Sequence, residues 1–333
     1  MIKPLPALVL LGRILGCILG CIAVATTAQA QTYPTRPVTM TVTAAAGGVT
    51  DVVARAVGQR LSEKWGQQVV IENKGGAAHA LGAQAVARAT PDGYSLLVAE
   101  AGTFTINPTL YGKGKLPYDE EKDFVPITGI VRINQAIIGT PTLPATNIRE
   151  LIGLAKEKPG KLTYGTAGIG SAPHMNMVLF ESMAGVKLTP VHYRGAAPAL
   201  TDVIAGHVNL MSVSISLALP ASRNGQIKIF GIGSPERLAL APDVPTVAEG
   251  GLPGYEAITW FGLFATAGTP PDIVAKINTD VRAVLNDPAF RAQFLEPQMF
   301  ESMASSPTEF ADYLKAQTRK WADVIHGANL KVE

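Results

Sequence analysis

Three junctions between a short apolar strand and a helix constrain the fold of this chain more than any other feature of its sequence. They are runs of small residues at 46–51, 168–174 and 194–198, and a helix-like apolar pattern follows each of them. Strands that alternate with helices across short loops are typical of βαβ units, in which the strands of the sheet run parallel. The sequence therefore predicts an α/β fold.

The same alternation extends along most of the chain. Short runs of β-branched and apolar residues predict strands at 37–42, 68–73, 94–100, 135–139, 161–166, 188–193, 208–213, 227–232 and 258–266. Beyond the helix that follows the first junction, helices are predicted at 78–90, 147–158, 173–184, 198–205, 271–286, 288–295 and 307–328. Residues 108–124 are expected to form a polar connector between the two series of strands.

Each junction offers a place where an anion can bind. In the first, a Gly pair precedes Thr50 and Asp51, which are the predicted N-caps of the following helix. A helix that begins behind a small-residue turn leaves backbone N–H groups free, and its dipole favours negative charge. Because the carboxyl ends of parallel strands meet at one edge of a sheet, the junctions are expected to line one cleft. The candidate ligand-binding residues in them are Ala46, Gly47, Gly48, Thr50, Asp51, Gly168, Gly170, Ser171, His174, Arg194, Gly195 and Ala196.

Further candidates lie near the same edge. Glu100 ends the strand predicted at 94–100, and Gly102 and Thr103 lie in the turn after it. Because a buried, unpaired carboxylate is costly, Glu100 is expected either to face water or to meet a cationic or protonated group of the ligand. Trp260 and its neighbour Phe261 lie on the strand predicted at 258–266. They are expected either to belong to the core or to line the apolar part of the ligand, and Trp260 is the candidate contact.

The order of elements predicts two lobes, because the last strand and helices return to the first series. We expect lobe 1 to comprise residues 31–132 and 255–333, and lobe 2 to comprise 133–254. The two crossings between the lobes would then act as hinges, with the cleft between them.

The first 30 residues are expected to be a secretory signal peptide rather than part of the fold. Lys3 and Arg13 precede or flank an apolar run, and Ala28-Gln29-Ala30 is a small-x-small site that predicts cleavage after Ala30. Residues 18–21 also resemble a lipoprotein cleavage box, which leaves lipidation at Cys21 as an alternative.

Removal of this segment would leave a neutral chain without cysteine. Both cysteines, Cys17 and Cys21, lie in this segment. The segment also contains two basic residues and no acidic residue, so 26 basic and 26 acidic residues would remain. Disulfides and cysteine-ligated metals are thereby excluded, and the balanced charge gives no support for a nucleic-acid partner.

Enzyme signatures are not found in the sequence. Residues 165–170 lack the dinucleotide-binding spacing, and none of the Gly-Lys pairs is followed by Ser or Thr, as a phosphate loop requires. The histidines at 79, 174, 192, 207 and 326 show no metal-ligand spacing. Four of them are expected to be surface or packing residues, whereas His174, at a helix start beside Ser171, is a candidate donor to the ligand. We therefore expect no enzyme activity, no cofactor and no metal.

Several motifs resemble those of the Bug family, the periplasmic solute-binding proteins of tripartite tricarboxylate transporters. They cover essentially all of the chain after the signal peptide, in the right order, at 33–37, 47–51, 91–94, 193–202, 242–249 and 260–263. The resemblance implies a type II periplasmic-binding-protein fold, with two α/β lobes around a ligand cleft. It also implies that the protein binds a small organic carboxylate, mainly through backbone groups and waters, and delivers it to a membrane permease made of a large and a small subunit.

Departures from the family pattern concern the ligand. The usual Pro before the Gly pair is Ala46, and Glu100 stands where a small polar residue is common. The Asp-Asn pair that often follows the strand near Met211 is replaced by Val213-Ser214, which argues against an amino-acid ligand and makes Ser214 a candidate contact. The expected ligand is a dicarboxylate, a hydroxy acid or an aromatic acid.

Two roles remain open at this point. The first is transport by a monomeric receptor that opens and closes freely. The alternative is a ligand-sensing module that docks on a two-component sensor kinase.

Overall fold

The strands and helices alternate in the order that the sequence predicts. The computed structural model describes residues 33–76, 79–112 and 114–330, and the predicted signal peptide lies outside them. The chain divides after Arg36, and all elements below belong to the unit Pro37–Glu333. No helix in the described part of the chain is long and apolar enough to cross a membrane.

Ten strands of the described chain form the sheet. They are β1 (Val38–Val42), β2 (Val69–Asn73), β3 (Ser95–Glu100), β4 (Phe124–Gly139), β5 (Thr163–Thr166), β6 (Thr189–His192), β7 (Leu210–Ser214), β8 (Lys228–Ile232), β9 (Ile258–Thr266) and β10 (Phe300–Ser302). The strand order is β2-β1-β3-β9-β4-β7-β5-β6, and β8 and β10 each pair with β4. The pairs among β1, β2 and β3 and among β5, β6 and β7 are parallel, whereas β9 is antiparallel to both β3 and β4. The sheet is therefore mixed, because β9 and β4 enter it without a βα crossover.

Ten α-helices accompany the sheet in the described residues. They are α1 (Val49–Trp65), α2 (Ala80–Ala87), α3 (Asn107–Tyr111), α4 (Ile148–Glu157), α5 (Ala172–Ala184), α6 (Ala196–Ala205), α7 (Ile215–Arg223), α8 (Pro271–Asn286), α9 (Pro288–Phe290) and α10 (Pro307–Gly327). Two five-residue π-helical turns, Gly102–Ile106 and Arg291–Leu295, precede α3 and follow α9.

The long strand β4 joins the two halves of the sheet. Its first part, up to Asn134, pairs with β9, and its last part, from Gln135, pairs with β7 and β8. Almost all its residues are buried, which fits a strand covered on both faces. The prediction recognised only 135–139, because Pro126 and Gly129 interrupt the strand pattern at positions where the register shifts.

Three other elements differ from the prediction. The short strand β10 was not predicted. The segment predicted as a polar connector begins inside α3, so only its later part lacks regular structure. Helix α7 was not predicted, and it contains Pro220, a residue that argues against a helix in a sequence pattern.

The apolar core lies around β9, whose nine residues are all buried. On one of its faces Trp260 and Phe264 pack against Phe310 of α10, at ring distances of 5.6 and 5.3 Å. Gly262 lies beneath the same ring, where a side chain would overlap Phe310. This close approach brings α10 onto the sheet and leaves the other face of β9 for the cleft.

Candidate functional site

A cleft of about 710 Å³ opens where the three predicted junctions meet. This volume falls within the range of small-molecule sites. Nine of the predicted residues line it: Ala46, Gly48, Thr50, Glu100, Ser171, Arg194, Gly195, Ala196 and Ser214. Eight others do not: Gly47, Asp51, Gly102, Thr103, Gly168, Gly170, His174 and Trp260. The positions of these eight show which residues hold the cleft together instead of facing a ligand.

In the first junction the N-cap of α1 is Gly48, and neither Thr50 nor Asp51 takes that position. Asp51 lies in the first turn, where its buried carboxylate accepts hydrogen bonds from the Gly47 N–H (2.9 Å), Arg55 Nε (3.0 Å) and Asn73 Nδ2 (3.0 Å). Burial acts to raise the pKa of Asp51, but these hydrogen bonds outweigh it and lower the pKa. Asp51 therefore fixes the loop as an anion, and its charge is already paired.

In the second junction Ser171 is the N-cap of α5. Pro173 is the second residue of this helix, whereas the sequence predicted it as the first. The Ser171 hydroxyl donates to the Gly168 carbonyl at 2.7 Å and accepts from the His174 N–H at 3.4 Å. Gly168 and Gly170 have φ of 117° and 75°, which only glycine adopts readily. The loop is thus held by its own hydrogen bonds.

His174 belongs to this support and does not line the cleft. Its side chain is 4% exposed, and its Nδ1 accepts a hydrogen bond from the Gly170 N–H at 3.2 Å. Burial, with a smaller contribution from the neighbouring His192, lowers the pKa of His174 to about 4. The imidazole is therefore neutral near pH 7 and holds the glycine turn, whereas the sequence suggested a donor to the ligand.

The third junction carries a positive charge that has no partner among the described residues. Helix α6 begins at Ala196 behind Gly195, whose φ is 144°, and no side chain caps it. Arg194 is exposed and lines the cleft, and its guanidinium makes no hydrogen bond or ion pair with any residue that the structure describes. Helix α1 also lacks a side-chain cap. Two uncapped helix starts and an unpaired cation therefore border one cavity.

Glu100 meets a partner that the sequence analysis classed as a surface or packing residue. His79 Nε2 lies 3.0 Å from Glu100 Oε1, and His79 Nδ1 lies 2.9 Å from the Thr43 carbonyl oxygen. All three residues line the cleft. His79 has φ of 73°, a left-handed conformation that is uncommon for a residue other than glycine and is often found at functional sites.

On β9 the cleft is lined by Phe261 and Thr259, and not by Trp260. Successive side chains of a strand point to opposite faces, so the two neighbours cannot share one side. Trp260 is fully buried against Phe310 and Tyr313. Thr103 is also fully buried, and its carbonyl accepts from the Tyr118 hydroxyl at 2.7 Å.

Most of the apolar lining was not among the candidate residues. It comprises Val49, Ile133, Val213, Leu217 and Phe261. Val49 and Leu217 are 39% and 49% exposed, so they leave apolar surface open to a ligand. The helical spacing around Val49 and the strand alternation at Phe261 were available as signals, but neither tells which face meets the cleft. Among the described residues no group of three or more His, Asp, Glu or Cys is arranged to hold a metal ion.

Comparison with known proteins gives consistent matches. Residues 53–330 match the family described as "Tripartite tricarboxylate transporter family receptor". Protein BugT of Bordetella pertussis is 30% identical over 327 residues, which cover 96% of this chain and 98% of BugT.

Two solved structures of similar proteins contain ligands. Rpa4515 of R. palustris, with adipate, has a TM-score of 0.82 and 34% identity, covering 90% of this chain and 99% of its own. MatC from Rhodopseudomonas palustris, with bound malate, has a TM-score of 0.78 and 34% identity, covering 88% of this chain and 100% of its own.

Proposed function

The chain belongs to the tripartite tricarboxylate transporter receptor family, and from that premise we propose that it captures a small organic carboxylate and delivers it to a membrane permease. The resemblance to the Bug family that the motifs indicated is confirmed, as is the α/β fold with two lobes around a cleft. Proteins of this family are periplasmic solute-binding proteins and not enzymes. The ligand class, the two-subunit permease and the monomeric state are the parts we propose.

One observation carries the ligand proposal: Arg194, for which the described residues offer no hydrogen-bond or ion-pair partner, borders the same cleft as the uncapped starts of α1 and α6. A helix start contributes on the order of 0.3 to 1 kcal/mol toward an anion, and a charge-assisted hydrogen bond contributes roughly 1.5 to 3 kcal/mol. A few such contacts, with burial of the ligand's carbon chain, account for the roughly 8 kcal/mol of micromolar binding. One carboxylate of a dicarboxylate, a hydroxy acid or an aromatic acid would satisfy this anion site.

We further propose that the lobes comprise 31–132 with 255–333, and 133–254. The change of partner along β4 at Gln135 supports this division. The Gln135 N–H also donates to the Ala257 carbonyl at 3.2 Å, where the second connection crosses. Two extended crossings of this kind suit a hinge that closes the lobes on a ligand.

Secretion to the periplasm through a signal peptide cleaved after Ala30 completes the proposal. The basic start, the apolar run and the small-x-small site of residues 1–30 support it. Mass spectrometry of the secreted protein is expected to find Gln31 as the first residue. A lipid-modified Cys21 would contradict this processing.

The carboxylate proposal is tested by the small molecules that the protein carries and by the ones that stabilise it. We expect native mass spectrometry of freshly purified protein to release an organic acid. A thermal-shift panel of dicarboxylates, hydroxy acids and aromatic carboxylates is expected to raise the melting temperature with at least one of them, because a ligand of the folded state stabilises it. A panel in which sugars or cations shift the melting curve while every carboxylate leaves it unchanged would contradict the proposal.

A further inference from the structure

The side of the cleft formed by β1 and β3 carries an acid whose second oxygen is free. Glu100 Oε1 contacts His79 Nε2 at 3.0 Å, and the Glu100 side chain is 19% exposed where it lines the cleft. Its other oxygen, Oε2, accepts no hydrogen bond from any residue in the described part of the chain. The cleft therefore contains a second polar site besides the anion site at Arg194.

The hydrogen bond of His79 to the Thr43 carbonyl sets the orientation of its ring. A carbonyl oxygen only accepts, so the contact with the Thr43 carbonyl at 2.9 Å requires a proton on His79 Nδ1. The other ring nitrogen, Nε2, faces Glu100 Oε1 at 3.0 Å. Glu100 Oε2 is left as an acceptor for a ligand.

His79 presents no free N–H group to a ligand, because its Nδ1 contacts the Thr43 carbonyl and its Nε2 faces Glu100 Oε1. A second carboxylate of a ligand placed here would thus meet the Glu100 oxygen without a donor, and two carboxylates in contact disfavour each other's charged form. A hydroxyl or an N–H group would instead donate to Oε2 and complete its hydrogen bonding.

We propose that Glu100 is a specificity-determining residue that selects a ligand with a hydroxyl or N–H donor in addition to its carboxylate, and that it disfavours dicarboxylates. This inference rests on the proposed function, since Arg194 and the helix starts are taken to hold the carboxylate. His79 is the positioning residue, which holds Glu100 by one nitrogen and is itself held by the Thr43 carbonyl. Apolar side chains that also line the cleft, such as Phe261, suit the carbon chain of the ligand.

The test compares three acids of equal chain length by isothermal titration calorimetry, at several lengths: the unsubstituted acid, its terminal hydroxy acid and the dicarboxylate, for example hexanoate, 6-hydroxyhexanoate and adipate. For the wild-type protein, at the length that fits, we expect the hydroxy acid to bind about tenfold or more tightly than the unsubstituted acid. The dicarboxylate is expected to bind most weakly.

Variants of Glu100 separate its role in ligand selection from a general loss of ligand binding. In Glu100→Ala the preference for the hydroxy acid over the unsubstituted acid is expected to disappear. Glu100→Gln retains an oxygen acceptor but loses the carboxyl group's ability to carry charge, so the dicarboxylate is expected to bind this variant more tightly than the wild-type protein. This variant tests the proposal if Glu100→Ala does not fold. Glu63→Ala is the matched control, because Glu63 is exposed on α1 and pairs with Arg60 outside the cleft lining.

The inference is overturned if the wild-type protein binds the dicarboxylate as tightly as the hydroxy acid, or if Glu100→Ala keeps the wild-type order. If no carboxylate of any length binds to the wild-type protein, the proposed function itself is wrong and this inference is rejected with it.

Discussion

Asp51 and His174 have the same task in two different junctions. Each is buried, and each accepts a hydrogen bond from the backbone N–H of a glycine four residues earlier, Gly47 and Gly170. The glycine supplies a turn that other residues rarely adopt, and the side chain holds that turn in place. Both residues were predicted from the sequence as ligand contacts. In the structure both of them hold a glycine turn at the cleft and do not line the cleft.

The buried, neutral His174 makes stability depend on pH. Its pKa is about 4 in the folded chain, against about 6.5 for an exposed histidine, so below pH 6.5 the unfolded chain binds a proton that the folded chain does not. The stability of the folded state therefore decreases as the pH falls from about 6.5 to about 4, by about 3 kcal/mol at most. We expect His174→Asn, whose amide oxygen can accept the Gly170 N–H, to remove this part of the pH dependence.

Urea unfolding at acid and neutral pH measures this effect. The free energy of unfolding of the variant is expected to fall less than that of the wild type. His326→Asn, at an exposed position in the last turn of α10, is the control and should behave as the wild type does. Equal losses in His174→Asn and the wild type would show that His174 does not titrate in this range.

Arg194 is expected to act on binding and not on stability. Since its guanidinium contacts no described residue by a hydrogen bond or ion pair, Arg194→Ala should leave the melting temperature of the ligand-free protein unchanged. Loss of a charge-assisted hydrogen bond should weaken carboxylate binding about tenfold or more. Calorimetry checks this against Arg149→Ala, an exposed arginine on α4 outside the cleft lining. Equal affinities of the two variants would exclude Arg194 from the site.

At the scale of elements, the contact of α10 with β9 decides which face of β9 is free. Helix α10 begins with a capping box, in which Ser306 and Glu309 bind each other's backbone N–H groups, so its start is well defined. Its Phe310 ring then lies over Gly262, in space that any other residue would fill. The helix covers the Trp260 face, and Phe261 remains for the cleft.

Substitution of Gly262 tests this packing. We expect Gly262→Ala to destabilise the fold by about 1 to 3 kcal/mol, because the added methyl group overlaps the Phe310 ring. Gly153→Ala is the matched control, since Gly153 lies in α4 with open space around it, and alanine favours a helix by up to about 1 kcal/mol. Denaturant unfolding is expected to move the two variants in opposite directions. A neutral Gly262→Ala would mean that α10 shifts freely on the sheet.

At the scale of the whole molecule, one apolar cluster continues across the proposed boundary between the lobes. It includes Tyr164 and Phe180 from residues 133–254, and Phe264 and Trp321 from the returning segment. The Tyr255 hydroxyl also donates to the Asn176 carbonyl at 3.0 Å. The lobes are thus connected by a shared core as well as by two crossings, which favours a pivot near that core.

Closure about such a pivot predicts a change in size. With a saturating carboxylate ligand, the radius of gyration measured by small-angle X-ray scattering is expected to decrease as the lobes close on the cleft. Arg194→Ala at the same ligand concentration should retain the larger value. An unchanged radius under conditions where calorimetry shows full binding would contradict the proposed hinge.

The sequence by itself determined the local elements and the chemistry of the junctions. The predicted helix 271–286 and the long helix starting at Pro307 are confirmed, because apolar spacing, Pro near the start and capping residues act within a few positions of each other. The three junctions were found for the same reason. Contacts between distant positions were decided only by the tertiary structure.

His79 and Glu100 are 21 positions apart, and no local pattern relates them. Likewise, the alternation along β9 could not tell which face Phe310 would cover, so Trp260 was chosen instead of Phe261. The physical reason is that side-chain spacing fixes which residues share a face, whereas the packing of other elements fixes which face meets the cleft.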